Sequence, residues 1–331
     1  MLKLDFYESG RGETIIVTFP QGGIGVVDAS PSPTSSRPDI LKIVQGKTIH
    51  FACLTHPHAD HGTDLVHLVN GNCKLGAFWH TLSQVDQFFF GITQVKSFPN
   101  QYNELVLKMQ EKWANFLIDL FYEVEDKKIL VHQLRNDQQS LQCEGVDIHV
   151  LSPTETTQNN FTKANQKILS NPTANSPDPN QLSAILALQY GDAVVILGGD
   201  ALRTNWDDAI TAFRHRAKLS KAVVLKVPHH GAKNALRGQG KSYFDLCKYP
   251  SCKAVVIPGD SKHPHPESRQ RLMHRTELYV VGEKSGAPPN PLRLSIPGAE
   301  GVTSAARKNP VVSMEIDSSG TVQVTQGCVE T

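Results

Sequence analysis

Alternating apolar and polar positions near the amino terminus predict short β-strands. Leu2, Leu4 and Phe6 alternate with polar residues, as a strand with one buried face requires. The segment "ETIIVTF" repeats the alternation after a glycine-containing turn. Later apolar runs, such as "AVVILGG" and "AVVLKV", are also interpreted as strands. They are far too short to cross a bilayer.

Two segments break this strand-rich pattern. Residues 84–125 carry Leu105, Met109, Trp113 and Phe116 at helical spacing, which predicts a helical insert that packs on the rest of the chain. Residues 154–181 are polar and rich in Asn and Pro, which predicts a long polar loop.

The order of the remaining elements indicates the architecture. Strands dominate both halves of the chain, and helices separate some of them. This order predicts an α/β fold in which two sheets pack face to face, with helices outside and one crevice between the halves. We expect residues 1–331 to form a single domain of two related halves.

Composition excludes some classes of protein. The formal net charge is +1, so no overall field attracts the chain to nucleic acid or to a membrane. The amino terminus lacks the apolar core of a secretion signal, and the six cysteines form no CxxC pair. We therefore expect reduced thiols, a cytoplasmic location and no membrane partner.

The stretch "LTHPHADHGTDL" concentrates metal-ligand side chains at the end of a predicted strand. Imidazole nitrogens and carboxylate oxygens are preferred ligands of first-row divalent metals. A strand end holds such ligands rigidly while they reach into a crevice. The relevant residues of this stretch are His56, His58, Asp60 and His61.

Three further strand ends carry the same residue types. Seven of the fourteen histidines lie in three short strand-end loops. Taken alone, each spot has an ordinary explanation, since Asp200 could cap a helix and His229 could be a loop histidine. Together they indicate a shared metal site. The additional residues are Asp200, His229, His230, His263 and His265.

The chain resembles the metallo-β-lactamase superfamily through its H-x-H-x-D-H signature at residues 56–61. Within that superfamily it is similar to the hydrolase domain of ComEC-type competence proteins, through "GRGETIIVTFPQGGIGVVDAS", "VLKVPHHGAKNA" and "AVVIPGDSKHPHPE". The resemblance implies a four-layer αββα sandwich. No channel-forming membrane segment accompanies these motifs, so we expect a stand-alone relative.

The resemblance also implies two divalent metals, zinc or manganese, and assigns ligands to them. It implies that Asp28 is a buried aspartate behind the site and that Asp60, His229 and His230 act in catalysis. The two histidines are expected to contact the scissile phosphate or protonate the leaving group, with a role for one of them as a metal ligand as the alternative. His265 competes with His263 as the late ligand. The implied metal ligands are His56 and His58 for one metal, Asp60, His61 and His263 for the other, and Asp200 as the bridge.

One departure from the superfamily pattern concerns the first metal. A histidine is expected after the strand "VDIHVLSP", where this chain has Thr154 and Glu155. Glu155, His149, His132 or a water molecule remain alternatives for the third ligand. The first metal is therefore expected to bind weakly, and a carboxylate ligand would shift the preference toward manganese.

The expected reaction is hydrolysis by a metal-activated water. Between Ala201 and Lys241 nine basic residues face two acidic ones, a local charge of +7, which favours a phosphate-bearing substrate. We expect Lys233, Arg237 and His265 to contact phosphate. The leading hypothesis is a phosphodiesterase that cuts DNA or RNA, with a possible partner protein. The alternatives are a small-molecule phosphodiesterase, acting on a cyclic nucleotide or a phosphocholine ester, and a non-catalytic binding subunit.

Overall fold

The computed structural model describes residues 1–9, 12–30, 40–71, 73–85, 116–171, 177–236, 242–259, 262–283 and 309–329. Most of the predicted helical insert, residues 86–115, lies outside this set. Residues 116–126 are helical and bury Phe116, Leu117 and Leu120, so the helix prediction is confirmed for this part of the insert.

Fifteen strands form the described part of the two sheets. Their apolar side chains alternate or run continuously, as the sequence pattern predicts. The strands are β1 (Leu2–Ser9), β2 (Gly12–Thr18), β3 (Ile24–Val27), β4 (Ile49–Leu54), β5 (Leu75–His80), β6 (Leu130–Gln133), β7 (Leu141–Cys143), β8 (Val146–Ser152), β9 (Ile185–Tyr190), β10 (Ala193–Leu197), β11 (Val224–Lys226), β12 (Lys253–Val256), β13 (Glu277–Val280), β14 (Asn309–Ile316) and β15 (Val322–Val329).

Strand order places several carboxyl ends together. The first sheet runs β15-β14-β1-β2-β3-β4-β5-β6, and the second runs β13-β12-β11-β10-β9-β8-β7. Strands β3 to β6 are mutually parallel, and so are β10 to β13. Because parallel strands end at the same edge of a sheet, the loops after β10, β11 and β12 are neighbours.

Three apolar clusters define the layers. The central cluster joins both sheets, with Phe6 and Phe51 from the first and Leu186 and Val224 from the second. A second cluster packs helices on the outer face of the first sheet, and a third does the same for the second sheet around Trp206. The predicted four-layer αββα sandwich is confirmed.

Helices cover the outer faces of both sheets. Among the described residues no helix combines the length and the hydrophobicity that crossing a bilayer requires. The labelled helices are α1 (Ile40–Val44), α2 (Ala59–Asn70), α3 (Glu155–Ser170), α4 (Arg203–Thr211), α5 (Lys233–Leu236) and α6 (Pro266–Arg275).

Helix α3 corrects the predicted polar loop at 154–181. Thr154 caps the helix by accepting a hydrogen bond from the Thr157 amide at 3.0 Å. Gln158 is buried and donates to the carbonyl oxygens of Thr81 and Leu134. The face that packs is largely polar, so the hydrophobic pattern did not reveal the helix.

Candidate metal centre

The candidate metal centre lies where both sheets end. His56 and His61 follow β4 of the first sheet, and His61 lies in the first turns of α2. Asp200 follows β10 of the second sheet, and His230 follows β11. His56 and His61 are fully buried, while Asp200 and His230 are 4% and 6% exposed. The structure therefore brings these sequence-predicted residues together.

Asp200 is the centre of the cluster. Its Oδ2 atom lies 3.5 Å from Nε2 of His61, 3.7 Å from Nε2 of His230 and 3.9 Å from Nε2 of His229. Ligand atoms of His56, His61 and Asp200 lie within 4.8 Å of one another, and atoms of Glu13, Asp200 and His230 form a second such group. Asp200 belongs to both groups.

Asp28 fixes which nitrogen each histidine presents to the cluster. Its Oδ2 lies 2.7 Å from Nδ1 of His61 and also accepts the Thr55 hydroxyl proton at 2.7 Å. With that proton donated to Asp28, the Thr55 oxygen accepts from Nδ1 of His56 at 3.1 Å. Both rings therefore carry their proton on Nδ1 and direct Nε2 at the centre, the arrangement that metal-ligating histidines use.

His58 completes the first motif from the mouth of the cluster. Its Nδ1 lies 2.9 Å from Nε2 of His56, so the two nitrogens are close enough to share one cation. Burial lowers the pKa of His58, which the nearby Asp60 carboxylate opposes. Asp60 lies in the first turn of α2 and is partly exposed, and its roles as ligand and catalyst remain predictions.

Charge in the cluster is strongly perturbed. Burial lowers the pKa of His61, but Asp200 and Asp28 outweigh it and raise that pKa well above its usual range. Burial raises the pKa of Asp200, yet His230 and His61 hold it well below its usual range. His61 Nε2 and Asp200 Oδ1 are buried without a hydrogen-bond partner among the described residues. A divalent cation held by His61 and Asp200 would satisfy both atoms.

The "PHHG" turn aims His230 inward and leaves His229 nearer to solvent. Both histidines have left-handed backbone, with φ of 47° and 53°, a conformation that costs energy and is concentrated at functional sites. His230 Nδ1 lies 2.9 Å from the Ile257 carbonyl oxygen, which can only accept. Its Nε2 therefore faces Asp200. A Cβ at Gly259 would lie 2.7 Å from the His230 ring, so this close packing requires glycine.

The predicted late ligand His263 and the residues predicted to contact phosphate lie at different distances from the cluster. His263 is next to the cluster, with its ring centre 6.3 Å from that of His230, and its role as ligand stays a prediction. His265 caps α6, where its Nδ1 accepts from the Glu267 amide at 3.3 Å. Lys233 forms an ion pair with Glu267 at 2.9 Å. Arg237 lies outside the described residues.

The structure places none of the suggested third-ligand residues with the cluster. Glu155 is exposed and pairs with Arg135 at 3.3 Å. His149 lines another cavity of about 830 Å³ together with Arg216. His132 lies on the edge strand β6, where its ring meets Trp79 edge-on. Among the four alternatives, a water molecule is the one that these positions leave in place.

Two functional candidates were not found from the sequence. Glu13 and Lys226 are fully buried beside Asp200 and His230, and they form an ion pair. Burial raises the pKa of Glu13 to about 8 although Lys226 opposes the shift. A Cβ at Gly12 would lie 1.8 Å from the Asp60 carbonyl oxygen, so glycine permits the contact that brings β2 to the cluster. The available signal was a lone lysine within the apolar run "VVLKV".

Comparisons with known proteins find only distant structural similarity. No protein-family model matches the chain, and no curated protein is similar to it. A variant of the CmlA β-hydroxylase superposes with a TM-score of 0.40 and 13% identity over 80% of this chain. Igni18, a metallo hydrolase from the archaeon Ignicoccus hospitalis, gives 0.41 and 10% over 84%. A diphosphatase of the PhnP family gives 0.39 and 13% over 84%.

The share of each neighbour that is matched also differs. The chain spans less than half of the hydroxylase, 46% of its length, and 94% of each of the other two proteins. Likeness at this level does not identify a reaction, since a fold hosts many activities. The narrower resemblance to ComEC-type proteins stays a prediction.

Proposed function

We propose that the protein is a metal-dependent phosphodiesterase whose substrate is DNA or RNA. The observation that carries the proposal is the convergence of three buried histidines on Asp200, each with Nε2 directed at the centre. Such a set suits zinc or manganese. The histidines are His56, His61 and His230.

The residues divide into those that hold cations and one that meets the substrate. His56, His58, His61 and Asp200 would hold one cation, and Asp200 with His230 would hold part of a second. A divalent cation held there would lower the pKa of a bound water molecule to about 7, which would supply a nucleophile at neutral pH. Asp28 keeps the ligand nitrogens oriented through His61 and Thr55.

We assign the contact with the substrate to His229. Its side chain is 20% exposed, against 8% for His230, and it lies at the mouth of the cluster. Burial lowers the pKa of His229, although Asp200 opposes that shift. An unprotonated Nε2 can accept a proton, and in the other tautomer Nε2–H can donate a hydrogen bond to a phosphate oxygen.

The first experiment compares the metal-stripped protein with protein reloaded with Mn²⁺ or Zn²⁺. The substrates are single- and double-stranded DNA, RNA, and the small diester bis(p-nitrophenyl) phosphate. We expect cleavage that requires metal and that Asp200→Asn lowers by more than about 100-fold, beyond the effect of losing an outer partner. Asp208→Asn, an exposed aspartate on α4, is the matched control and should retain activity.

A specific observation favours the second candidate, a small phosphodiester. Glu267 pairs with Lys233 and Arg271, and Glu283 pairs with Arg269 through two hydrogen bonds. These contacts neutralise Lys233 and two arginines of α6, basic side chains that a polymer would use. For a polymer the apparent affinity falls steeply with salt, while a small diester shows little dependence. Metal-loaded protein that cleaves none of the four substrates would contradict both candidates.

A further inference from the structure

A buried ion pair lies directly behind the candidate metal centre. Glu13 comes from β2 of the first sheet and Lys226 from the end of β11 in the second, and both side chains have zero exposure. Removing two charges from water costs more than their attraction commonly returns, so well-packed apolar residues often stabilise as well or better. The pair therefore calls for an explanation other than stability.

Each member of the pair also contacts the cluster. The Lys226 ammonium donates a hydrogen bond to the carbonyl oxygen of Gly199 at 3.0 Å, which fixes the residue immediately before Asp200. Glu13 Oε1 lies 3.5 Å from Nδ1 of His230, the nitrogen that donates to the Ile257 carbonyl oxygen. The two contacts thus act on two proposed ligands, one through the backbone and one through the ring.

We propose that Glu13 and Lys226 are positioning residues that hold Asp200 and His230 in the geometry needed to bind a divalent cation. This inference rests on the proposed metal-dependent function. Lys226 links the turn of the second sheet to Glu13 of the first, so the pair also sets the spacing between the two sheets at the centre. Neither side chain is assigned a contact with substrate.

Lys226 needs Glu13 as a partner because its ammonium is buried beside the candidate metal centre. An unpaired ammonium beside Asp200 would repel a divalent cation, because Coulomb energies are large in a buried site. Glu13 accepts a hydrogen bond from that ammonium, and its Oε2 atom has no hydrogen-bond partner among the described residues. Lys226 thus donates to both Glu13 and the Gly199 carbonyl oxygen, which fixes the turn that carries Asp200.

The test separates positioning from a purely structural role. Metal affinity is measured by competition with a chromogenic chelator, and thermal unfolding is measured on the metal-free protein. We expect Lys226→Met alone to lower both the unfolding temperature and the affinity. The double variant Glu13→Leu with Lys226→Met should recover most of the unfolding temperature, because no buried charge is left unpaired. Its affinity for Mn²⁺ or Zn²⁺ should stay about 10- to 100-fold below wild type.

A matched control and a second variant keep the outcome decisive. Lys253 and Glu277 form an ion pair between β12 and β13, and their replacement by Met and Gln should leave the affinity unchanged. If the double variant does not fold, Glu13→Gln offers Lys226 a weaker acceptor than the carboxylate and should still lower affinity by about 10-fold. Wild-type affinity in the double variant, or in Glu13→Gln, would overturn the proposal. Protein that binds metal but cleaves nothing would overturn the function alone.

Discussion

Asp28 shows how one side chain organises the candidate metal centre without belonging to it. Its two carboxylate oxygens accept three hydrogen bonds, from the Thr55 amide, the Thr55 hydroxyl and His61 Nδ1. Through Thr55 the same carboxylate also orients His56. Because an imidazole can bind a cation only through an unprotonated nitrogen, Asp28 determines that both rings offer Nε2. The sequence resemblance places this residue behind the site, and the structure supplies its physical role.

Replacement of Asp28 by Asn tests that role by exchanging one carboxylate oxygen for an amide nitrogen. The Asn amide group would donate where the carboxylate accepts, so either His61 or Thr55 loses its partner. Asp28 has left-handed backbone with φ of 54°, which Asn also tolerates. We expect metal affinity to fall about 10- to 100-fold in chelator competition, while the metal-free protein remains folded by circular dichroism. Asp5→Asn, a buried aspartate on β1, is the control, and equal affinities in all three proteins would contradict the role of Asp28.

At the scale of elements, helix α3 could not be predicted from the pattern of hydrophobic residues. Its buried face consists of Gln158, Phe161 and Thr162, which have the spacing of one helical turn but only one apolar side chain. Gln158 satisfies its amide through backbone carbonyl oxygens of other segments, contacts that no local pattern reveals. The apolar strands and the helix at 116–126 were predictable because their burial is carried by hydrophobic side chains.

The N-terminal cap of α3 should contribute to the stability of the protein. Thr154 accepts from the Thr157 amide, so Thr154→Ala leaves that amide unsatisfied. We expect the free energy of unfolding in urea to fall by about 1 kcal/mol, while Thr154→Ser retains most of it. Metal affinity should stay at the wild-type value because Glu155 and this end of α3 are not placed with the cluster. A loss of metal affinity in Thr154→Ala would instead show that the start of α3 contributes to metal binding.

For the whole molecule, the predictable part of the site is the part carried by strand ends. The residue types at 56–61, 200 and 229–230 indicated convergence because successive strands bring such loops to one crevice, and the structure confirms that convergence. Glu13 and Lys226 are separated by 213 positions, and their pairing depends on how the two sheets are set against each other. No local spacing in the sequence encodes that relation, so the pair emerges only from the fold.

The free energy of unfolding of the whole protein should depend on pH through the buried His80. His80, at the end of β5, packs against Phe78 and Phe121, and burial lowers its pKa from 6.5 to about 4. The unfolded chain therefore takes up a proton near pH 6.5 while the folded chain does not. Stability from this group is complete above that pH and falls as the pH drops toward 4, by up to about 3 kcal/mol.

The variant His80→Asn removes the titration and keeps an oxygen that can accept from the Leu82 amide, now bound to His80 Nδ1. The free energy of unfolding in urea is measured at pH 5 and pH 8, with chelator present so that metal binding does not contribute. We expect wild type to lose more stability than the variant between these values, by about 1 to 2 kcal/mol. The variant is less stable than wild type at pH 8 because it loses ring packing, and only the difference between the two pH values reports on protonation. Equal losses in the two proteins would show that His80 takes up its proton in the folded state as readily as in the unfolded chain.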